Sequence, residues 1–128
     1  MTRFAFDHVH LRSPDPDATG AWFVESFEAR HVRRQETPTS LRVVLELGGL
    51  NLFIDRVPEG TPSVPPAPFL GIEHLALAVT GIDAIVEELR AKGVRIVMEP
   101  NNPNPTTRIA FVEGPERVRV ELLERMPG

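Results

Sequence analysis

The chain has no cysteine and no tyrosine among its 128 residues, and only one tryptophan. Without cysteine there is no disulfide framework, no thiolate nucleophile, no Fe–S cluster and no Cys-type zinc site. Without tyrosine, no phenol can act as acid, base or radical. Positive charge is in the minority. Fourteen Lys and Arg against 18 Asp and Glu give a formal net charge of −4, and no basic run exceeds Arg33-Arg34. Such a chain is not built to follow a polyanion, so nucleic acid is not expected as a partner. No stretch reaches the roughly 20 apolar residues of a bilayer span. The opening residues, Met1 to His8, lack the apolar core of a secretory signal. The expectation is a soluble, cytoplasmic protein with no membrane partner. The remaining composition, 41% hydrophobic and 25% charged, is that of one ordinary globular domain.

Proline is plentiful and unevenly spread. Five of the 13 prolines (Pro58, Pro62, Pro65, Pro66 and Pro68) fall in a segment that can be neither helix nor central strand. This linker, about 58–70, separates a first module, about 1–57, from a second, about 71–128. The modules resemble each other. Phe6-Asp7-His8-Val9-His10-Leu11 reads against Ile72-Glu73-His74-Leu75-Ala76-Leu77, and Phe27-Glu28-Ala29-Arg30-His31-Val32 against Leu89-Arg90-Ala91-Lys92-Gly93-Val94. A duplicated supersecondary unit is the natural reading.

The elements repeat in order as well. In the first module Phe4–Arg12 alternates as a strand, and Asp15-Pro16 marks the N-cap and first residue of a helix. That helix runs to about Phe27, with Trp22, Phe23 and Phe27 as its buried stripe. Leu41, Val43, Leu45 and Leu47 alternate as a strand, Gly48-Gly49 makes a two-residue hairpin turn, and Leu50–Ile54 returns. In the second module Gly71–Val79 is the strand and Thr80 the helix cap. Ile82, Ile85, Val86 and Leu89 then show helical spacing, which Gly93 stops. Val94–Met98, Ile109–Val112 and Val118–Glu124 follow as strands, with a turn at Gly114-Pro115. The fold class is therefore α+β, with two tandem βαβββ modules in one domain.

Strand parity sorts the side chains into faces. Val9 and Leu11 face the helix, leaving His8, His10 and Arg12 on the opposite side. In the repeat, Leu75, Leu77 and Val79 face the helix, leaving His74, Ala76 and Ala78. In the last strand Val118, Val120 and Leu122 point to the core, so Arg119, Glu121 and Leu123 point away from it. Two equivalent histidines and one carboxylate thus turn from the helical layer, and two alanines leave space beside them. His31, among Arg30, Arg33 and Arg34, reads as a solvated surface residue.

Three pieces in this order resemble the vicinal oxygen chelate superfamily of glyoxalases, bleomycin-resistance proteins, fosfomycin-modifying enzymes, epimerases and extradiol dioxygenases. They are Asp7-His8-Val9-His10-Leu11, Glu73-His74-Leu75-Ala76-Leu77-Ala78-Val79, and Phe111-Val112-Glu113-Gly114-Pro115 leading to Val120-Glu121-Leu122-Leu123-Glu124. The resemblance implies a glyoxalase-like curved sheet around a metal cavity. It also implies one divalent ion (Zn, Ni, Mn, Co or Fe) bound by His8, His74 and Glu121, a small-molecule substrate, and a homodimer. Two imidazoles and one carboxylate leave coordination positions open, as catalysis requires. His10 and Arg119 share the ligand face and are candidates to contact substrate or support the ligands.

The residue matched to Glu121 in the first module is Asn51, where glyoxalase I-like enzymes carry a glutamate as fourth ligand and proton shuttle. An amide oxygen can coordinate a metal but cannot take a proton. Glu46, across the hairpin from Asn51, is the replacement base, and either residue could complete the metal shell. The resulting expectation is a metal-dependent lyase or isomerase, with Glu121 and Glu46 as its catalytic carboxylates. The substrate is a small metabolite that chelates the metal through adjacent oxygens. The alternatives are an extradiol-type Fe(II) dioxygenase and, in another class, a non-catalytic ligand-binding protein of the bleomycin-resistance kind.

Overall fold

The computed structural model describes residues 2–127. The chain divides into two compact units, Met1–Pro62 and Ser63–Gly128. The first contains β1 (His8–Ser13), α1 (Pro16–Phe27), β2 (Arg30–Thr37), β3 (Ser40–Leu47) and β4 (Leu50–Arg56). The second contains β5 (Leu75–Ala78), α2 (Ile82–Ala91), β6 (Arg95–Asn104), β7 (Thr107–Glu113), a 3-10 turn (Pro115–Arg117) and β8 (Arg119–Arg125). Each unit has a four-stranded sheet of the same topology, β1-β4-β3-β2 and β5-β8-β7-β6. The first strand of each runs parallel to the last, and the other pairings are antiparallel. Two βαβββ modules are therefore present, in an α+β fold. Among the described residues, no helix is long and apolar enough to cross a membrane.

Local chemistry explains the first helix. The Asp15 carboxylate accepts the Ala18 N–H at 3.1 Å, and Pro16 sits where its missing N–H costs nothing. A buried Ser13–Thr19 hydroxyl pair, 2.7 Å apart, ties β1 to the first turn. Of the expected stripe only Phe23 is fully buried. Trp22 and Phe27 are half-buried, and Trp22 packs edge-on against both Phe23 and Phe27. The helix also comes close to its sheet: a Cβ at Gly20 would stand 3.1 Å from a methyl of Val43. Val43, Leu45, Leu52 and Ile54 complete this core. Burying each such side chain contributes about 1.5–3 kcal/mol.

The second unit is capped differently from the sequence expectation. Thr80 does not cap α2. The Glu124 carboxylate, from the far end of the chain, accepts the N–H groups of Gly81 and Ile82, each at 3.0 Å. Those two bonds hold Glu124 below the usual carboxylate range. Ile82, Val86 and Leu89 are buried against Ala110, Val112, Val120 and Leu122. In both units an aspartate in the first helical turn pairs with an arginine from the sheet, Asp17 with Arg34 and Asp83 with Arg108.

Several strand limits differ from the sequence reading. The first strands begin at His8 and Leu75, so Phe4, Phe6, Leu70 and Ile72 lie outside them and are exposed. β2 is the strand that the βαβββ order requires, but its residues could not be located in the sequence, because all eight are exposed and their pattern does not alternate. The hairpin turn is as expected, with Gly48 and Gly49 at positive φ (56° and 91°) and Leu47 paired with Leu50.

Gly20 gives the first prediction. Substituting Gly20→Val forces methyl groups into the Val43 contact, and should destabilise the protein by about 1–3 kcal/mol. Urea unfolding checks this: the midpoint should fall while the slope stays constant.

Candidate functional site

In the second unit, β8 lies between β5 and β7, and Val120 and Leu122 are buried beneath α2. Glu121 between them must therefore project from the opposite face. Parallel pairing sets Ala76 beside Glu121, and His74 immediately precedes this strand pair. The His74 Nε2 lies 3.0 Å from Oε1 of Glu121. Its Nδ1 is hydrogen-bonded to the Glu73 carboxylate, whose other oxygen accepts from Arg119. Arg119 stacks over Phe111 at 4.9 Å, and the Phe111 ring meets His74 edge-on at 5.0 Å. The His74 and Arg119 contacts hold Glu73 below the ordinary glutamate range.

This arrangement has a chemical consequence. Both ring nitrogens of His74 face carboxylate oxygens. A neutral imidazole carries one N–H and one lone pair, and a carboxylate only accepts. If Nδ1–H is given to Glu73, the Nε2 lone pair opposes Glu121, and a positive charge is needed between them. A proton can supply it, and so can a metal ion. A ring held by a carboxylate at Nδ1, with Nε2 left for coordination, is the usual support for a metal-binding histidine. The donor set of His74 and Glu121 fits a divalent cation. Ala76 and Ala78, exposed on the same face, leave room beside it.

The first unit repeats half of this pattern. The His8 Nδ1 lies 2.6 Å from the Asp7 carboxylate, as that of His74 is held by Glu73. The other half is replaced. In the ladder, His10 pairs with Phe53 as Ala76 pairs with Glu121, so the first-unit counterpart of Glu121 is Phe53 and not Asn51. Phe53 stacks flat on the His8 ring, with centroids 4.0 Å apart and planes 9° apart. Asn51 is level with His8 itself, matches Arg119 in register, and donates to the Asp7 carbonyl at 3.4 Å. The expected pairing was two residues out of step.

The other sequence candidates can be placed one by one. Glu46 does lie across from Asn51, but its carboxylate accepts the Gly49 N–H at 2.8 Å and sits 3.9 Å from Arg30. It closes its own hairpin. The His10 Nε2 lies 3.1 Å from Asp55, which also accepts two bonds from Arg42 at 2.7 and 2.9 Å. Arg42 in turn covers the Phe53 ring at 4.9 Å. His31 is exposed, within β2. Among the described residues, no three His, Asp or Glu side chains form a ready-made metal cluster. Sequence reasoning missed Asp7 and Glu73, although an acidic residue directly before the histidine in both repeats was the signal available. It also missed Phe53, Asp55 and Arg42.

The sequence model of the Glyoxalase/Bleomycin resistance protein/Dioxygenase superfamily matches residues 5–122. The chain belongs to this superfamily. It is 29% identical over 131 residues to a probable chloroplastic lactoylglutathione lyase of Arabidopsis thaliana, covering 94% of this chain and 35% of that protein. The chain spans less than half the length of the plant relatives it matches, from 35% to 45%. A glyoxalase family protein from Enterococcus faecalis has the same fold, with a TM-score of 0.81 at 24% identity over 97% of this chain and 100% of that one. So does a single-residue (Glu-to-Gln) mutant of the fosfomycin resistance protein FosX of Listeria monocytogenes, in complex with Mn(II) and a dihydroxypropylphosphonic acid. There the TM-score is 0.74 at 20% identity, over 95% of this chain and 92% of that one. The superfamily fold thus accounts for the repeated βαβββ unit and for the face on which the histidines lie.

The Asp55 cluster carries a pH prediction. The Arg42 guanidinium, with His10 adding to it, holds the Asp55 carboxyl below its ordinary value. A carboxyl with a depressed folded pKa contributes stability above its unfolded pKa, and that stability is lost as pH falls through the folded value. Thermal unfolding of wild type and Asp55→Asn should therefore differ most near neutrality. The difference should shrink on acidification below about pH 4, and a gap independent of pH contradicts the assignment.

Proposed function

We propose that this chain is a divalent-metal-dependent enzyme of the glyoxalase-like type, a lyase or isomerase. Its substrate is a small metabolite that presents adjacent oxygens to the metal. The observation that carries this reading is the contact of His74 Nε2 with Glu121 at 3.0 Å, made while Nδ1 is already occupied by Glu73. In the proposal His74 and Glu121 hold the ion, and His8, the repeat counterpart of His74, is the third donor. When bound, the ion supplies Lewis acidity toward a chelating substrate.

The chain's own residues supply the rest. Asp7 and Glu73 fix the tautomer and orientation of the two histidines, and Arg119 steadies Glu73. Glu121, half-buried and set on a central strand, is the carboxylate available to take or give a proton on this face. Glu46 is tied to its turn, and Phe53 offers neither a ligand nor a base. Relatives named as lactoylglutathione lyases support an enzyme of this class. The Mn(II) complex of FosX supports a metal.

A second reading is favoured by Phe53. With that residue in place of a fourth carboxylate, the proposed set is two histidines and one carboxylate. That set also suits Fe(II) in an extradiol-type dioxygenase. Elemental analysis of protein purified without added metal or a histidine tag separates the two. A purely sequestering protein of the bleomycin-resistance kind has no need of these ligands, so metal-free protein that still binds ligand would favour it. A homodimer belongs to the same proposal. Phe4, Phe6, Leu70 and Ile72 are large apolar side chains between 78% and 100% exposed, and a second copy could cover them.

Titration calorimetry of metal-stripped protein tests the ligands. His74→Ala and Glu121→Gln should each lower divalent-metal affinity at least about tenfold, because each removes one of three donors. Retention of near-stoichiometric metal by both variants would remove the assignment. Phe53→Glu should tighten Zn²⁺ or Ni²⁺ binding by supplying a fourth, charged donor, whereas Asn51→Glu should not. The reverse result would restore Asn51 as the counterpart of Glu121.

A further inference from the structure

The second unit contains a cleft of about 390 Å³ in which the proline-rich segment faces one end of its sheet. Pro66 and Phe69 form an apolar wall, and Arg95, Arg117 and Arg119 line the cleft with a single carboxylate, Glu113. The three guanidinium groups are not equivalent. Arg95 is neutralised by Glu113 at 2.7 Å. Arg119 gives one bond to Glu73, but its Nε–H is buried with no acceptor. A buried donor left unfilled carries its full desolvation penalty. Arg117 makes no ion pair or hydrogen bond among the described residues, and it is exposed at the cleft.

The backbone that carries Arg117 is also unusual. Glu116 and Arg117 both adopt the left-handed region, with φ of 56° and 59°. Two consecutive non-glycine residues there are strained, and such strain persists only where the surrounding structure holds it. The turn is closed on both sides, by Gly114 N–H to Val118 O at 2.8 Å and Val118 N–H to Pro115 O at 3.2 Å. It holds an unpaired guanidinium beside a second one whose bonding is incomplete.

We propose that this cleft binds a small organic oxyanion, a carboxylate or phosphate on a compact apolar body. The anionic head lies on Arg117 and Arg119, and the body lies against Pro66 and Phe69. Planar guanidinium groups suit such heads because they donate paired hydrogen bonds to two oxygens at once. A volume near 390 Å³ lies within the range of small-metabolite sites. None of the lining residues is a proposed metal ligand; Arg119 also supports Glu73 beside His74, whereas Arg117 has no part in the metal reading.

The test uses metal-stripped full-length protein, so that loss of metal cannot mimic loss of the anion site. Calorimetric titrations with benzoate, phenyl phosphate and neutral benzamide are compared. At least one anion should bind about tenfold more tightly than benzamide, because its head accepts charge-assisted bonds that a neutral amide cannot match. Benzoate alone identifies a carboxylate site, phenyl phosphate alone a phosphate site, and both a general oxyanion site. Arg117→Gln, at an exposed position, should weaken that binding about tenfold, and Arg119→Gln should weaken it as well. Benzamide binding as tightly as the anions, no anion binding, or unchanged affinity in Arg117→Gln would overturn the proposal.

Discussion

Each sheet has one face covered by a single helix, and the period-two alternation of its strands dictates what the other face carries. Val120 and Leu122 must go under α2, so Glu121 cannot. Leu52 and Ile54 must go under α1, so Phe53 and Asp55 cannot. Once the short parallel pairing of first and last strands is added, the partners on the uncovered face follow. His74 then meets a carboxylate, where its counterpart His8 meets an aromatic ring. Of the differences between the two halves, the one beside the histidine is Phe53 in the register position of Glu121.

That substitution changes the chemistry of the face. A carboxylate opposite His74 needs a positive charge between itself and Nε2. A phenyl ring opposite His8 needs none and contributes stacking, while Arg42 lies over the same ring. The first unit therefore keeps a histidine supported by Asp7 but faced by Phe53, and the second keeps one supported by Glu73 and faced by Glu121. Arg119 links the second arrangement to the rest of its sheet through Glu73 and Phe111.

Much of this was legible in the sequence, for identifiable reasons. The duplication, the helix start at Asp15-Pro16, the Gly48-Gly49 turn and the face shared by His74 and Glu121 rest on local chemistry or parity, which a sequence displays directly. Parity could not separate Asn51 from Phe53. Residues two apart share a face, and only the parallel ladder, a contact between distant segments, distinguishes them. The cap of α2 was hidden for a similar reason, since Glu124 comes from more than forty residues away and Thr80 only looked suitable. The βαβββ order called for β2, but its residues could not be located because a fully exposed edge strand rich in arginine has no apolar rhythm to read. Phe4 and Phe6 mimicked a strand by alternating, but they lie before the ladder begins at His8.

We propose that His74 and Glu121, with His8 as third donor, hold a divalent ion. Crystals grown with Mn²⁺ and measured at a wavelength where manganese scatters anomalously test it most directly. The account predicts one strong anomalous peak about 2.0–2.3 Å from the Nε2 atoms of His8 and His74 and from a Glu121 oxygen. A peak elsewhere on the chain, or none while His74 remains hydrogen-bonded to Glu121, would contradict it.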